Sequence, residues 1–142
     1  MWLFASWLLV VAAMVAVPTA AAAQTTGPTT YVVDSTATGD GDCATAGSCT
    51  LRAAVDAANA NAGSTVQVPA GTYVIDGQLA LSVPMTIEGA AGQGVDATVI
   101  DAAGGSRVFD VQSTGVSISG VTITGGDVNQ TGGGIRIGSG DE

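Results

Sequence analysis

Twelve carboxylates, three arginines and no histidine are the groups with which this chain could do acid–base chemistry. The bases are Arg52, Arg107 and Arg136, and no lysine accompanies them. The acids between residues 64 and 140 are spread over Asp76, Glu88, Asp96, Asp101, Asp110 and Asp127. Glycoside hydrolysis requires two carboxyl groups facing one bond, ~5–9 Å apart, and this spread sets no two side by side. Most of these acids fall at bends, where Asp is favoured. Serines and threonines are abundant, but a serine nucleophile needs a base, and the conventional one is absent. Asp40-Gly41-Asp42, with Asp34, could attract calcium. The loop lacks the full oxygen set and terminal Glu of a calcium loop, so an Asx-rich turn is the plainer reading. No cofactor is expected, calcium being the one ion left open. The run Thr131-Gly132-Gly133-Gly134 precedes a strand pattern and has no lysine, which excludes a phosphate loop.

The arginines have plainer roles. Arg52 falls on a predicted helix and is expected to be solvated or paired at the surface. Arg136 stands between Ile135 and Ile137, so it points away from them, and the repeat described below sets it beside Asp110. A stacked surface ion pair there is worth ~0.2–1 kcal/mol. Arg107 opens a strand and has no evident partner.

The first segment is an address rather than part of a fold. Trp2 to Val17 is apolar or small throughout, and Pro18, Thr19 and four alanines lead to Gln24. This reads as a secretory signal over residues 1–23, cleaved between Ala23 and Gln24. No Lys or Arg precedes the apolar run. A retained anchor is the alternative, but a bilayer takes ~20 apolar residues and Pro18 interrupts the run. The mature chain is not expected to be embedded in a membrane. In an oxidising compartment the two cysteines, Cys43 and Cys49, are expected to form a disulfide. Closing so short a loop is worth roughly 2 kcal/mol in the chain-entropy model. A net charge of −9 argues against nucleic acid and anionic lipid as partners, since both require clustered cations.

The remaining chain has two textures. Residues 24–30 read as a linker and residues 31–63 as an N-terminal cap. Within the cap, Tyr31-Val32-Val33 predicts a strand and residues 34–48 a loop. Thr50 to Asn61 predicts the one helix: Leu51, Ala54, Val55, Ala58 and Ala62 share a face, Thr50 is the N-cap and Gly63 the stop. From residue 64 to 142 the period falls to two. Apolar pairs recur at Val66/Val68, Tyr73/Ile75, Leu79/Leu81, Met85/Ile87, Thr98/Ile100, Phe109/Val111, Val116/Ile118, Val121/Ile123 and Ile135/Ile137. Each pair faces one side of a short strand.

These pairs repeat as triplets. Phe109/Val111 matches Leu79/Leu81, Ile118 matches Ile87, Ile123 matches Ile100, and Ile135/Ile137 returns to the phase of Phe109/Val111. Three short strands in a period of roughly 23–31 residues suit a solenoid. The expected fold is therefore all-β: a right-handed parallel β-helix whose N-terminal end is closed by an amphipathic helix. A β-sandwich of hairpins is the competing arrangement, though sandwiches usually carry more aromatics than Tyr31, Tyr73 and Phe109.

The segment from Cys49 to Asn59, Cys-Thr-Leu-Arg-Ala-Ala-Val-Asp-Ala-Ala-Asn, resembles the CSLREA-type domain that opens exported bacterial β-helix proteins. The resemblance continues through Val66 to Tyr73, Ile87-Glu88-Gly89, Val121 to Gly126 and Gly132 to Ile135. It covers residues 31–142 and implies that the helix, through Leu51 and Val55, covers the open end of the first coil. In that family a Glu three residues after the cap completes a capping box. Here the position is Ala53, so Thr50 must cap alone. The later strands are generic to the pectate lyase-like superfamily. The resemblance implies a secreted or surface-displayed structural or binding protein, with a polysaccharide or cell-surface ligand as partner. The alternative is the first part of a polysaccharide lyase or glycoside hydrolase whose catalytic turns lie beyond Glu142.

Overall fold

The computed structural model describes residues 27–127 and 132–138. The expected leader, the cleavage site at Ala23 and Gln24, and the start of the linker lie outside the described residues. Ten short strands and one helix follow in order: β1 (Thr30–Val32), α1 (Leu51–Asn59), β2 (Thr65–Gln67), β3 (Gly71–Val74), β4 (Leu79–Leu81), β5 (Thr86–Glu88), β6 (Thr98–Asp101), β7 (Phe109–Val111), β8 (Ser117–Ser119), β9 (Thr122–Thr124) and β10 (Ile135–Ile137). A single 3-10 turn, Val95–Ala97, precedes β6.

Every strand pairing is parallel. The strands form three sheets, ordered β1-β2-β5-β8, β3-β6-β9 and β4-β7-β10, and none closes into a barrel. From β2 onward the chain visits the three sheets in strict rotation. The registers are those the apolar pairs predict: Phe109 lies on Leu79, Ile118 on Ile87, Ile123 on Ile100 and Ile135 on Phe109.

Alternation along each strand sends one set of side chains inward. Val66, Ile87, Tyr73, Ile100, Leu79, Leu81 and Phe109 meet in one buried cluster with Val33, Val68, Met85 and Val108. Thr98 is the polar member of the inward set. Its hydroxyl donates to the carbonyls of Val68 and Pro69 and accepts from the Ala90 amide, so its burial is compensated.

The helix starts where expected. Thr50 is extended at the N-cap, and its hydroxyl accepts from the Ala53 amide. Leu51, Ala54, Val55 and Ala58 are buried against β1, β2 and β4. Full burial of Leu51 and Val55 contributes about 1.5–3 kcal/mol each. The helix ends at Asn59, not Asn61, with Ala60 as its C-cap. Asn59 bonds the Ala80 carbonyl and the Ser82 amide and hydroxyl. Asn61 donates to the Tyr31 hydroxyl. Gly63, at φ +83°, shapes the turn into β2 and donates its amide to the Pro84 carbonyl rather than stopping the helix directly.

Two further boundaries differ. The first strand is Thr30–Val32, one residue earlier than the apolar run suggests. It begins inside the expected linker because the Thr29 carbonyl accepts from the Thr65 amide and the Thr29 amide donates to Ser64. Among the described residues no helix is long and apolar enough to cross a membrane.

Candidate functional site

Three places gather polar groups. The first lies on the outer face of the β4-β7-β10 sheet. Asp110, between inward Phe109 and Val111, points outward, with Arg136 its register partner on β10. The pair is not the surface bridge that its outward position suggests: the Asp110 side chain is only 1% exposed. Arg136 donates through Nε at 2.6 Å and Nη2 at 2.8 Å. Gln112 donates at 2.9 Å and Gln78, from the preceding coil, at 3.4 Å. Arg107, expected to open a strand with no evident partner, is buried beside the same carboxylate. Its side chain is 9% exposed and Nη1 lies 4.0 Å from the Asp110 carboxylate. That Nη1 has no hydrogen-bond partner among the described residues.

The hydrogen bonds from Arg136 hold the Asp110 carboxyl below its ordinary value. Burial opposes them, while Gln112 and the charges of both guanidinium groups add to them. The same contact raises the Arg136 guanidinium. A carboxylate held by these donors and kept ionised by them is a weak base, poorly suited to take a substrate proton. Asp110 therefore works as a knot that ties three successive coils through Gln78, Gln112 and Arg136.

The second place is the loop between β1 and α1. Cys43 and Cys49 are joined by a disulfide. The Asp34 carboxylate accepts from the Gly47 amide at 2.6 Å and the Cys49 amide at 2.8 Å. Asp42 accepts from the Ala44 amide and the Thr45 hydroxyl, and the backbone contact first, then the hydroxyl, lowers its carboxyl. Two of the three carboxylates considered for calcium, Asp34 and Asp42, thus bind the loop itself. Among the described residues no three acids, cysteines or histidines converge on a metal position. Thr50 links the loop to α1, its hydroxyl donating to the Gly39 carbonyl while accepting from Ala53. Leu51 and Val55 lie beneath, 3% and 0% exposed. Arg52 is half-buried and makes no ion pair among the described residues: its guanidinium donates to the carbonyls of Asp76, Gly77 and Gln78, fastening α1 to the β3–β4 corner.

The third place is a pair of grooves that the linear pattern of residues did not disclose. The corner between β5 and β6 runs over residues 89–97, whereas β2 to β3 takes residues 68–70 and β8 to β9 takes residues 120–121. The long corner lines two grooves. On one side a groove of about 400 Å³ is lined by Glu88, Gly92, Gly94, Ser119 and Gly120. On the other a groove of about 230 Å³ is lined by Val32, Gln67, Pro69, Glu88 and Ala91. Glu88 borders both. It is the middle rung of an exposed ladder, Gln67–Glu88–Ser119, on adjacent parallel strands. Such strands lie ≈4.8 Å apart, so the ladder presents a carboxamide, a carboxylate and a hydroxyl at even steps. These groups can hydrogen-bond a ligand laid across the strands. One signal was available: the unusual run Gly89 to Gly94, with three glycines, between two otherwise tight repeats.

No family model, curated protein or solved structure matches the chain.

Proposed function

We propose that this chain is the opening part of a right-handed parallel β-helix that works outside the cell as a displayed scaffold with a binding face. The reading of residues 49–59 as a CSLREA-type cap belongs to the same proposal. The observation that carries it is the rotation of the chain through three parallel sheets, which turns the outer face of each sheet into a ladder of evenly spaced side chains. Stacked repeats use such surfaces to bind extended partners. The disulfide supports the compartment, because such bonds persist where the surroundings are oxidising. The grooves beside residues 89–97 are the proposed binding face, and a polysaccharide or other extended cell-surface ligand is the proposed partner.

The test is expression with the native leader, followed by mass spectrometry of the exported chain and binding to immobilised neutral and acidic polysaccharides. A mature N-terminus at Gln24 is expected, together with retention on a polysaccharide that Glu88→Ala or Gln67→Ala weakens. Retention of residues 2–17 inside the cell would refute the export reading. Release of sugar products by the chain alone would replace the scaffold reading with that of an enzyme.

A further inference from the structure

The loop of residues 34–49 holds two fasteners in series. Val33, just past β1, donates its amide to the Gln67 carbonyl, and Asp34 follows it. The Asp34 carboxylate then grips the Gly47 and Cys49 amides at 2.6 and 2.8 Å. In return, the Asp34 and Ser35 amides donate to the Cys49 carbonyl at 3.0 and 3.2 Å. Both amides that receive the carboxylate lie inside the ring closed by Cys43 and Cys49. Residues 44–48 are Ala-Thr-Ala-Gly-Ser and supply no large apolar side chain to fix their own shape. The residue after the ring is Thr50, the N-cap of α1, and Cys49 itself is 3% exposed against the core.

We propose that oxidation of Cys43 and Cys49 is the step that locks α1 over the first coil, so that the cap closes after the chain reaches an oxidising compartment. The two thiols give up two electrons and two protons to a disulfide donor such as oxidised glutathione: the Cys43–Cys49 S–S bond forms while the donor's S–S bond breaks to leave two thiols. The closed ring preorganises the Gly47 and Cys49 amides as a receptor for the Asp34 carboxylate. The carboxylate then holds the ring, and with it Thr50, at the end of β1. In the reduced chain the receptor must be ordered from an open loop. Losing ring closure of this size raises the open population of α1 about thirty-fold, the equivalent of ~2 kcal/mol. The coils beyond β5 do not touch the ring and keep their protection.

The test is amide hydrogen exchange on the full chain, refolded with oxidised glutathione, against the Cys43→Ser/Cys49→Ser variant. Exchange at Ala54, Val55 and Ala58 should accelerate about thirty-fold in the variant, while Ile100 and Phe109 stay unchanged. Asp34→Ala should open α1 when the bridge is present and add less than threefold when it is gone. Unchanged exchange in α1 without the bridge would overturn the proposal. So would an equal loss of protection at Ile100 and Phe109, which marks the bridge as a global stabiliser. Full additivity of the Asp34 and cysteine changes would also overturn it, since the ring would then not be the carboxylate's receptor.

Discussion

Replacing Asp110 by Asn keeps the size of the side chain and removes its charge. The new amide can accept on one atom only, so Arg136 or the glutamines must lose a partner. Arg136 is 45% exposed and can turn to water, so its share of the loss is small, about 0.2–1 kcal/mol. The Gln112 bond contributes about 1 kcal/mol. The larger share comes from Arg107, whose buried guanidinium has no counter-charge nearer than Asp110 among the described residues. Breaking a buried pair from one side costs about 3–5 kcal/mol because the other charge is left uncompensated. Asp110→Asn is therefore expected to cost about 3–5 kcal/mol, a large part of the ~5–15 kcal/mol that stabilises a typical domain. Arg136→Ala should cost about 1 kcal/mol or less. Adding Arg107→Leu to Asp110→Asn should restore most of the loss. Urea unfolding followed by circular dichroism measures all three. Equal costs for Asp110→Asn and Arg136→Ala would refute the argument, since they would show that the Arg136 contact, not the buried Arg107 guanidinium, dominates.

Three further outcomes are expected. Asp110 is depressed in the folded state, so its contribution is complete above its unfolded value near 3.8 and is lost as the pH falls through the lower folded value; an acid titration of Asp110→Asn should lack that component. Thr50→Ala removes the sole side-chain cap of α1 and should cost about 1 kcal/mol, read from the same denaturation curves. Gly89→Ala would set a methyl group 1.8 Å from the Gly120 carbonyl oxygen. Relieving that collision parts two adjacent corners, and a loss of about 1–3 kcal/mol is expected, with a lowered melting temperature as the readout.

The columns of the core were legible because inward residues alternate within short runs and glycines mark where each run stops. Leu79, Phe109 and Ile135 can be aligned by phase alone, and so can Ile87 with Ile118 and Ile100 with Ile123. The candidate sites were less legible, for a physical reason. An outward residue reads as exposed, and what covers Asp110 is a set of long side chains: Gln112 from its own coil, with Gln78 and Arg136 arriving from the coils before and after it. Arg52 shows the same limit: its targets are backbone carbonyls 24–26 residues later, and a carbonyl leaves no trace in residue type. The cysteine pairing was readable from two residues and an expected compartment, whereas the role of Asp34 depends on the shape that the bridged loop takes.

The unequal corners have a consequence for how such a chain can change. An extra residue inside β5 would turn Ile87 outward and Glu88 inward, because faces alternate at every residue. The middle of the corner of residues 89–97 carries no such constraint, since its ends are fixed by β5, by the Thr98 hydroxyl and by the Asp96–Thr122 contact, while a Cβ placed at Gly92 or Gly94 would meet nothing within 4 Å. Length can therefore be gained or lost there while the stacking of coils stays as it is. Insertions at this corner are the natural means of reshaping the two grooves, in evolution or by graft, and a peptide displayed there would project from a support whose strands need not move.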